Sequence, residues 1–372
     1  MTEPTAPPRR TWGERHPVLG MVLATLLTLL VFDLMLGTYT VGNLVAVPDQ
    51  DYHHGLAPNV ETEHQWGPLT YWLTTNSLGF KDSRAREVPL TTDRWRVVFI
   101  GDSFTEGVGY PFEQTFVGRV ASRLDDTKVE VLNAAVSSYS PRLMKLKVRK
   151  LVEQVGLRFQ ELVVFLDVSD PQDEIIYESW VPGNAAPWSQ DAVRWMARHS
   201  LSFRRLVPMP ATGTLHRRGT ASDGSVVEWK TLDEFERERA MWTSRPDLID
   251  RWARRGLELG ARHMDELLAL CRAHNIRVSM AVYPWPQQVV KGEVEPLQRR
   301  FWEEFAAARG VPLVEYFSTV AVEGWERARR YYVDGDLHLN DVGHELFADR
   351  WLQARCQDAP AGDRLCAARR AP

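Results

Sequence analysis

Five short apolar runs recur along the chain, separated by stretches with helical spacing. They are RVVFI (96–100), VEVLNAA (129–135), ELVVFLDV (161–168), IRVSMAVYP (276–284) and VPLVEYF (311–317). A strand with one wet face alternates apolar and polar residues. These runs are nearly continuous, so they belong to strands buried on both faces, as in parallel sheets covered by helices. The intervening helices are expected at Glu113–Leu124, Arg142–Val155, 252–275 and Asp341–Arg355. Asn340 or Asp341 caps the last, and Asn275 stops the one before it. The expected class is α/β: a three-layer sandwich around a central, mostly parallel sheet of about five strands. Residues 182–247, rich in Arg, Trp and Pro, fit the alternation poorly and read as an insertion.

The N-terminal region obeys a different constraint. Pro17 to Phe32 carries no charge, and after Asp33 the chain stays uncharged to Val47. About 20 mostly apolar residues span a bilayer. Pro17 to Gly37 therefore reads as a membrane anchor, with Asp33 near the far interface, where its cost is lower. Arg9, Arg10 and Arg15 precede the segment, and no Lys or Arg follows until Lys81. The positive-inside rule then puts residues 1–16 in the cytoplasm and the rest outside it. A cleaved signal peptide or a buried core helix competes less well. The run has no polar face, and LVA at 44–46 is a poor cleavage site.

Across 372 residues the formal net charge is -4, and no basic cluster interleaved with aromatics appears, so nucleic acid is not an expected partner. Cys356 and Cys366 flank a short polar segment and could pair in an oxidising compartment, whereas Cys271 sits in an amphipathic stretch and reads as a buried thiol. Adjacent His53 and His54 read as packing or surface residues rather than metal ligands. No cofactor or metal is expected.

The first apolar run ends in Gly101-Asp102-Ser103. In open α/β sheets, ligands bind beyond the carboxyl ends of strands, which is where this places Ser103. A serine hydroxyl attacks only when a base takes its proton, and the base needs an acid to orient it. His338 lies in a turn before the last helix, with Asp336 two residues earlier and Asp334 as a second candidate acid. His344 falls inside the helix and reads as structural.

GDSFTEG (101–107) together with DLHLNDVGH (336–344) resembles the SGNH, or GDSL-type, hydrolases. TNSLGFKDS (75–83) and VYPWP (282–286) look like a membrane-anchored bacterial subgroup. The resemblance runs from Thr75 to Leu352, with an unmatched stretch in the middle, and implies a flavodoxin-like sheet. It assigns Ser103 as nucleophile, His338 as base and Asp336 as orienting acid. The family's last block usually places Asp three residues before His; here the spacing is two or four.

Two middle blocks depart from the family pattern. NAAVSSYS (133–140) puts Ser138 where the family has an N–H-donating glycine. DVSDPQDE (167–174) puts Asp167 for a glycine and Ser169 for a donor asparagine. The resemblance thus implies an oxyanion hole built from Ser103, Ser138 and Ser169. Asp167, Asp170, Asp173 and Glu174 crowd the same block, where negative charge would oppose an oxyanion; the block lacks a calcium-loop pattern and reads as a helix N-terminus. Trp180, Trp188 and Trp195 are candidates for stacking on sugar rings or for the core of the insertion, and the VYPWP segment for lining the crevice.

The expected organisation is a cytoplasmic N-terminus (1–16), an anchor (17–37), an extracytoplasmic arm (38–95), a hydrolase-like domain (96–356) and a tail (357–372). The expected function is a membrane-anchored, extracytoplasmic serine esterase that removes or transfers O-acyl groups on a cell-surface or exported polysaccharide. A catalytically weak or inactive domain that binds carbohydrate or serves as a scaffold is the alternative, and a thioesterase or lipase the third. Oligomeric state is not legible in the sequence.

Overall fold

The computed structural model describes residues 15–39, 45–124, 128–183, 196, 200, 202–203, 218–221, 223–229, 232–357, 363 and 365–366. The chain divides into two compact units, Met1–Leu44 with Trp188–Met209, and Val45–Pro187 with Pro210–Pro372. In the first, among the described residues, one helix, α1 (Pro17–Tyr39), is long and apolar enough over Pro17–Leu36 to cross a membrane. Its side chains from Val18 to Phe32 are exposed except at Gly20.

The second unit opens with two antiparallel hairpins, β1 (Ala46–Asp49) with β2 (His53–Leu56), and β3 (Glu61–Trp66) with β4 (Leu69–Thr74). The α/β alternation then begins. β5 (Trp95–Ile100) leads into α2 (Ser103–Glu106) and α3 (Phe116–Leu124), and β6 (Val129–Asn133) leads into α4 (Pro141–Arg149). β7 (Glu161–Leu166) is followed by α5 (Asp170–Tyr177). The described part of the insertion holds the hairpin β8 (Arg218–Thr220) and β9 (Val226–Glu228), then α6 (Leu232–Met241). α7 (Arg254–Ala273), β10 (Arg277–Val282), α8 (Leu297–Arg309), β11 (Leu313–Glu315) and α9 (Asp341–Gln357) complete the unit.

The central sheet has five strands in the order β11-β10-β7-β5-β6. All its pairings are parallel, so the fold is the expected α/β sandwich. The strand order reverses between β5 and β7, and both strands deliver candidate residues at their carboxyl ends. Helices cover the sheet. α3 packs with α9, and α7 packs with α4 and α5, while Trp302 of α8 closes on Gly260 of α7. Under α9 the core is aromatic: Phe99 meets Trp351 at 4.9 Å and Tyr316 stacks on Phe347 at 4.1 Å. Truncating one such buried aromatic costs about 3–5 kcal/mol.

From Val45 onward, the region expected as an arm is part of this body. Leu73 and Phe80 are fully buried, and TNSLGFKDS folds into a closed polar turn. Asn76 donates to Asp82 at 2.9 Å and accepts the N–H groups of Leu78 and Phe80. Lys81 bridges antiparallel to Asn133, at the end of β6. Residue 113 lies in a 3-10 turn, Phe112–Gln114, ahead of α3. Trp229 and Trp242 of the insertion are buried with Trp252 in the same hydrophobic core as the central sheet. Trp188 and Trp195 lie outside the described residues. Cys356 and Cys366 form a disulfide, and Cys271 is a buried free thiol.

Candidate active site

Gly101 makes the strand-to-helix turn tight. A Cβ there would sit 2.3 Å from Thr105 Oγ1 and 3.1 Å from Phe165 Cβ. Asp102 caps α2 by accepting the Phe104 N–H at 3.0 Å. Ser103 is therefore the first residue of a short helix and half-exposed, while Phe104 beneath it is buried. The Phe104 ring touches Tyr283, Trp285 and His338 at centroid distances of 5.0, 6.1 and 4.9 Å.

Ser103 Oγ lies 2.7 Å from His338 Nε2. His338 Nδ1 lies 2.5 Å from Asp336 Oδ1, which also accepts the His338 backbone N–H at 2.9 Å. Three side chains, 235 residues apart at the extremes, thus form one hydrogen-bonded relay. Burial by itself would raise the Asp336 carboxyl, but the hydrogen bonds and charge of His338 hold it below the usual range. Asp334 is exposed, and Asp336 is the acid hydrogen-bonded to the imidazole. His344 accepts the Phe116 N–H at 3.2 Å, and burial keeps it neutral.

Ser138 keeps a glycine-like backbone, with φ +62°, in the left-handed region. Its N–H and that of Ser103 have no protein acceptor among the described residues. The neighbouring residue is held firmly: buried Glu106 accepts both the N–H of Ser137 at 2.7 Å and its hydroxyl at 2.8 Å. Asn133 ties the same loop to α2 through the Thr105 carbonyl at 2.8 Å.

Ser169 is a correction to the expected oxyanion set. It is buried, and its hydroxyl and its N–H each donate to Asp167 Oδ1 at 2.7 Å. The short side chain satisfies the neighbouring carboxylate instead of facing the serine. The crowded acids are accounted for in the same way. Asp167 Oδ2 accepts the Trp285 indole N–H at 2.7 Å. Burial and the Asp167 charge push Asp102 well above the usual carboxylate range. Asp102 also accepts the Tyr283 hydroxyl at 2.8 Å. Burial and the charges of Asp167 and Asp102 likewise raise Asp170, whose Oδ2 accepts the Asp167 N–H at 2.8 Å. Asp173 pairs with Arg239, and Glu174 accepts from Arg142 N–H at 2.6 Å and meets His263 Nδ1 at 2.7 Å. Among the described residues, no group of three or more His, Cys, Asp or Glu is arranged to hold a metal.

A pocket of about 760 Å³ adjoins the imidazole. His338, Asp336, Trp66, Trp325 and Tyr332 lie on its walls, and Pro286 contributes from the VYPWP segment. Trp285 itself is buried. Trp66 stands edge-on to His338 at 5.1 Å. His53 and His54 are 2.8 Å apart through their Nδ1 atoms, and His54 Nε2 meets the Ser137 carbonyl at 2.9 Å. Trp180 packs on His53 at 5.3 Å.

Three contributors escaped the sequence reading. Glu106 sits inside GDSFTEG, where an acid on so short a helix is a usable signal. Lys81 donates to the carbonyls of Gly107 and Tyr110, and a lysine in a polar turn does not advertise burial. Trp66 lies on a hairpin that nothing local connects to the site.

No protein-family model and no curated protein matches the chain. Solved structures do. An acetyl xylan esterase is similar at 13% identity and TM-score 0.40, over 70% of this chain and 98% of its own. The psychrotrophic esterase EstA from Pseudoalteromonas sp. is similar at 11% identity and TM-score 0.38, over 70% and 97%. A member of the lipolytic protein G-D-S-L family from Veillonella parvula is similar at 11% identity and TM-score 0.37, over 70% and 97%. In its Gly-Asp-Ser and Asp-x-His blocks and in its sheet topology, the chain is similar to the GDSL-type hydrolases.

Proposed function

We propose that the protein is a membrane-anchored, extracytoplasmic serine esterase acting on O-acyl groups of a cell-surface or exported polysaccharide. The observation that carries the reading is the Ser103–His338–Asp336 relay, with contacts of 2.7 and 2.5 Å. In this reading Ser103 Oγ bonds to the ester carbonyl carbon as His338 Nε2 takes the hydroxyl proton. Asp336 orients the ring and stabilises the imidazolium. The N–H groups of Ser103 and Ser138 face the oxyanion. Collapse breaks the ester C–O bond, and His338 returns the proton to the leaving alcohol. Water, deprotonated by His338, then releases the acid; a sugar hydroxyl in its place would make the reaction an acyl transfer.

Trp66, Trp325 and Tyr332 beside the imidazole support a sugar leaving group, because aromatic faces and edges suit pyranose rings. The apolar α1, whose one charge is Asp33, with Arg9, Arg10 and Arg15 before it, supports the anchor and its orientation.

The test is turnover of p-nitrophenyl acetate and of an acetylated glycan by the full chain in detergent, beside Ser103→Ala. Serine-dependent release of acetate supports the reading, and equal rates for the two proteins refute it. The committed hydroxyl of Ser169 favours a second reading, a catalytically weak carbohydrate-binding domain, since a missing oxyanion donor costs roughly 10²–10³ in rate. Glycan binding that survives Ser103→Ala, without turnover in either protein, would select it.

A further inference from the structure

Asp33 is the one charge between Pro17 and Gly37, and the esterase reading gives it no task. It lies 16 residues beyond Pro17, about 24 Å along a helix, while a bilayer's hydrocarbon core is about 30 Å thick. A bare carboxylate at that depth is costly.

The first unit supplies it with partners. Ser200 donates its hydroxyl to Asp33 Oδ2 at 2.5 Å, and the Ser202 N–H donates to Oδ1 at 2.8 Å. The Phe203 N–H in turn donates to the Ser200 hydroxyl at 3.0 Å, so the serine is locked between helix and turn. Burial follows the same boundary. From Met21 to Phe32 every α1 side chain is exposed, whereas Asp33, Leu34 and Leu36 are half-buried and Ser200 is 6% exposed. The covering of α1 begins where its charge does.

We propose that Ser200, Ser202 and Phe203 dock on the last turns of α1 through Asp33, and that this docking seats them at the membrane–water interface on the far side from residues 1–16. The proposal rests on the reading of α1 as a membrane anchor. The partner on the remaining side is lipid, at the boundary of headgroups and acyl chains. The surrounding sequence has the composition of such a layer: Trp188 and Trp195 with Arg194, Arg198, Arg204 and Arg205. Met196 is exposed at 39%, an apolar side chain offered outward. Asp33 thus works as a latch, and its two hydrogen bonds offset the cost of placing an acid near the membrane.

The full chain, reconstituted in phosphatidylcholine vesicles on a Cys271→Ser background, tests this. An environment-sensitive dye on Met196→Cys should show a blue-shifted emission that Asp33→Leu abolishes. Retention of the chain after alkaline carbonate with a water-like dye, or a blue shift that survives Asp33→Leu, would overturn the docking. Release of the chain by carbonate would instead refute the anchor. Serine-dependent esterase activity is a separate readout that neither outcome alters.

Discussion

Replacing Asp336 by asparagine separates two jobs that a triad acid performs together. Both His338 contacts converge on one atom: Asp336 Oδ1 accepts the backbone N–H at 2.9 Å and lies 2.5 Å from Nδ1. A backbone N–H can only donate. In Asp336→Asn the amide oxygen must therefore occupy the Oδ1 position, and it goes on accepting from Nδ1–H. The ring keeps its tautomer, with Nε2 free to take the serine proton. What is lost is the charge that stabilises the imidazolium. The lower bound is the difference between a charged and a neutral hydrogen bond, about 1 kcal/mol. The upper bound is the full attraction of two charges about 4 Å apart at an effective dielectric of 20, about 4 kcal/mol. The Asp336 side chain is 19% exposed, so solvent screens part of this. A loss of about 2–3 kcal/mol, or roughly 30–150-fold in kcat/KM, is expected. Asp336→Ala removes orientation as well and should approach a 10⁴-fold loss. The assay is ester turnover by the two variants, with Ser103→Ala as the floor. If asparagine is as damaging as alanine, the tautomer argument fails. If asparagine matches the native enzyme, the charge has no role.

Ser138→Gly should raise stability by up to about 1 kcal/mol in urea unfolding and leave esterase activity intact, because it relieves a left-handed non-glycine residue while keeping the N–H. Lys81→Met should lower stability by about 1–3 kcal/mol, since it removes a donor from the buried Gly107 carbonyl and from the part-buried Tyr110 carbonyl, and a calorimetric scan reads the loss. His54 titrates at about 3, lowered by burial and then by the charge of His53. Its folded value lies below the unfolded 6.5, so its neutral form is favoured above pH 6.5 and stability is lost as pH falls toward 3. Relative to His54→Asn, the native protein should therefore lose about 2 kcal/mol between pH 7 and pH 5, measured by urea unfolding at both.

The parallel sheet was legible because its strands are buried on both faces, and burial on both faces leaves an unbroken apolar run. Ser103, Asp336 and His338 were legible because each sits at a turn whose chemistry is local: a strand end in one case, a helix approach in the other two. The hairpins at 46–74 were not. Their strands are short, and only some positions are buried, as in ETEHQW, where Thr62 alone is fully covered. No period emerges from six residues with one buried position. Ser169 shows the opposite failure. Its position in the third block suggested an oxyanion donor, but the direction of a hydroxyl is set by the nearest strong acceptor. Asp167 lies two residues away and wins.

The departures in that block form one physical unit. An aspartate in place of a small residue at 167 puts a buried carboxylate beside Asp102, the residue before Ser103. A charge there is tolerable only if its lone pairs are taken. Ser169 takes one oxygen through two donors and the Trp285 indole takes the other, while burial and the Asp167 charge push Asp102 above the usual carboxylate range. Asparagine at 169 would be longer than this local loop needs, whereas serine closes it at 2.7 Å. Trp285 then stacks on Phe104, whose ring also packs on the imidazole, so the group that donates to Asp167 also supports His338. Replacing Asp167 alone would leave the Trp285 indole and the Ser169 hydroxyl without their acceptor, and replacing Ser169 alone would leave Asp167 without one of its donors, so activity should respond to the pair and not to either position by itself.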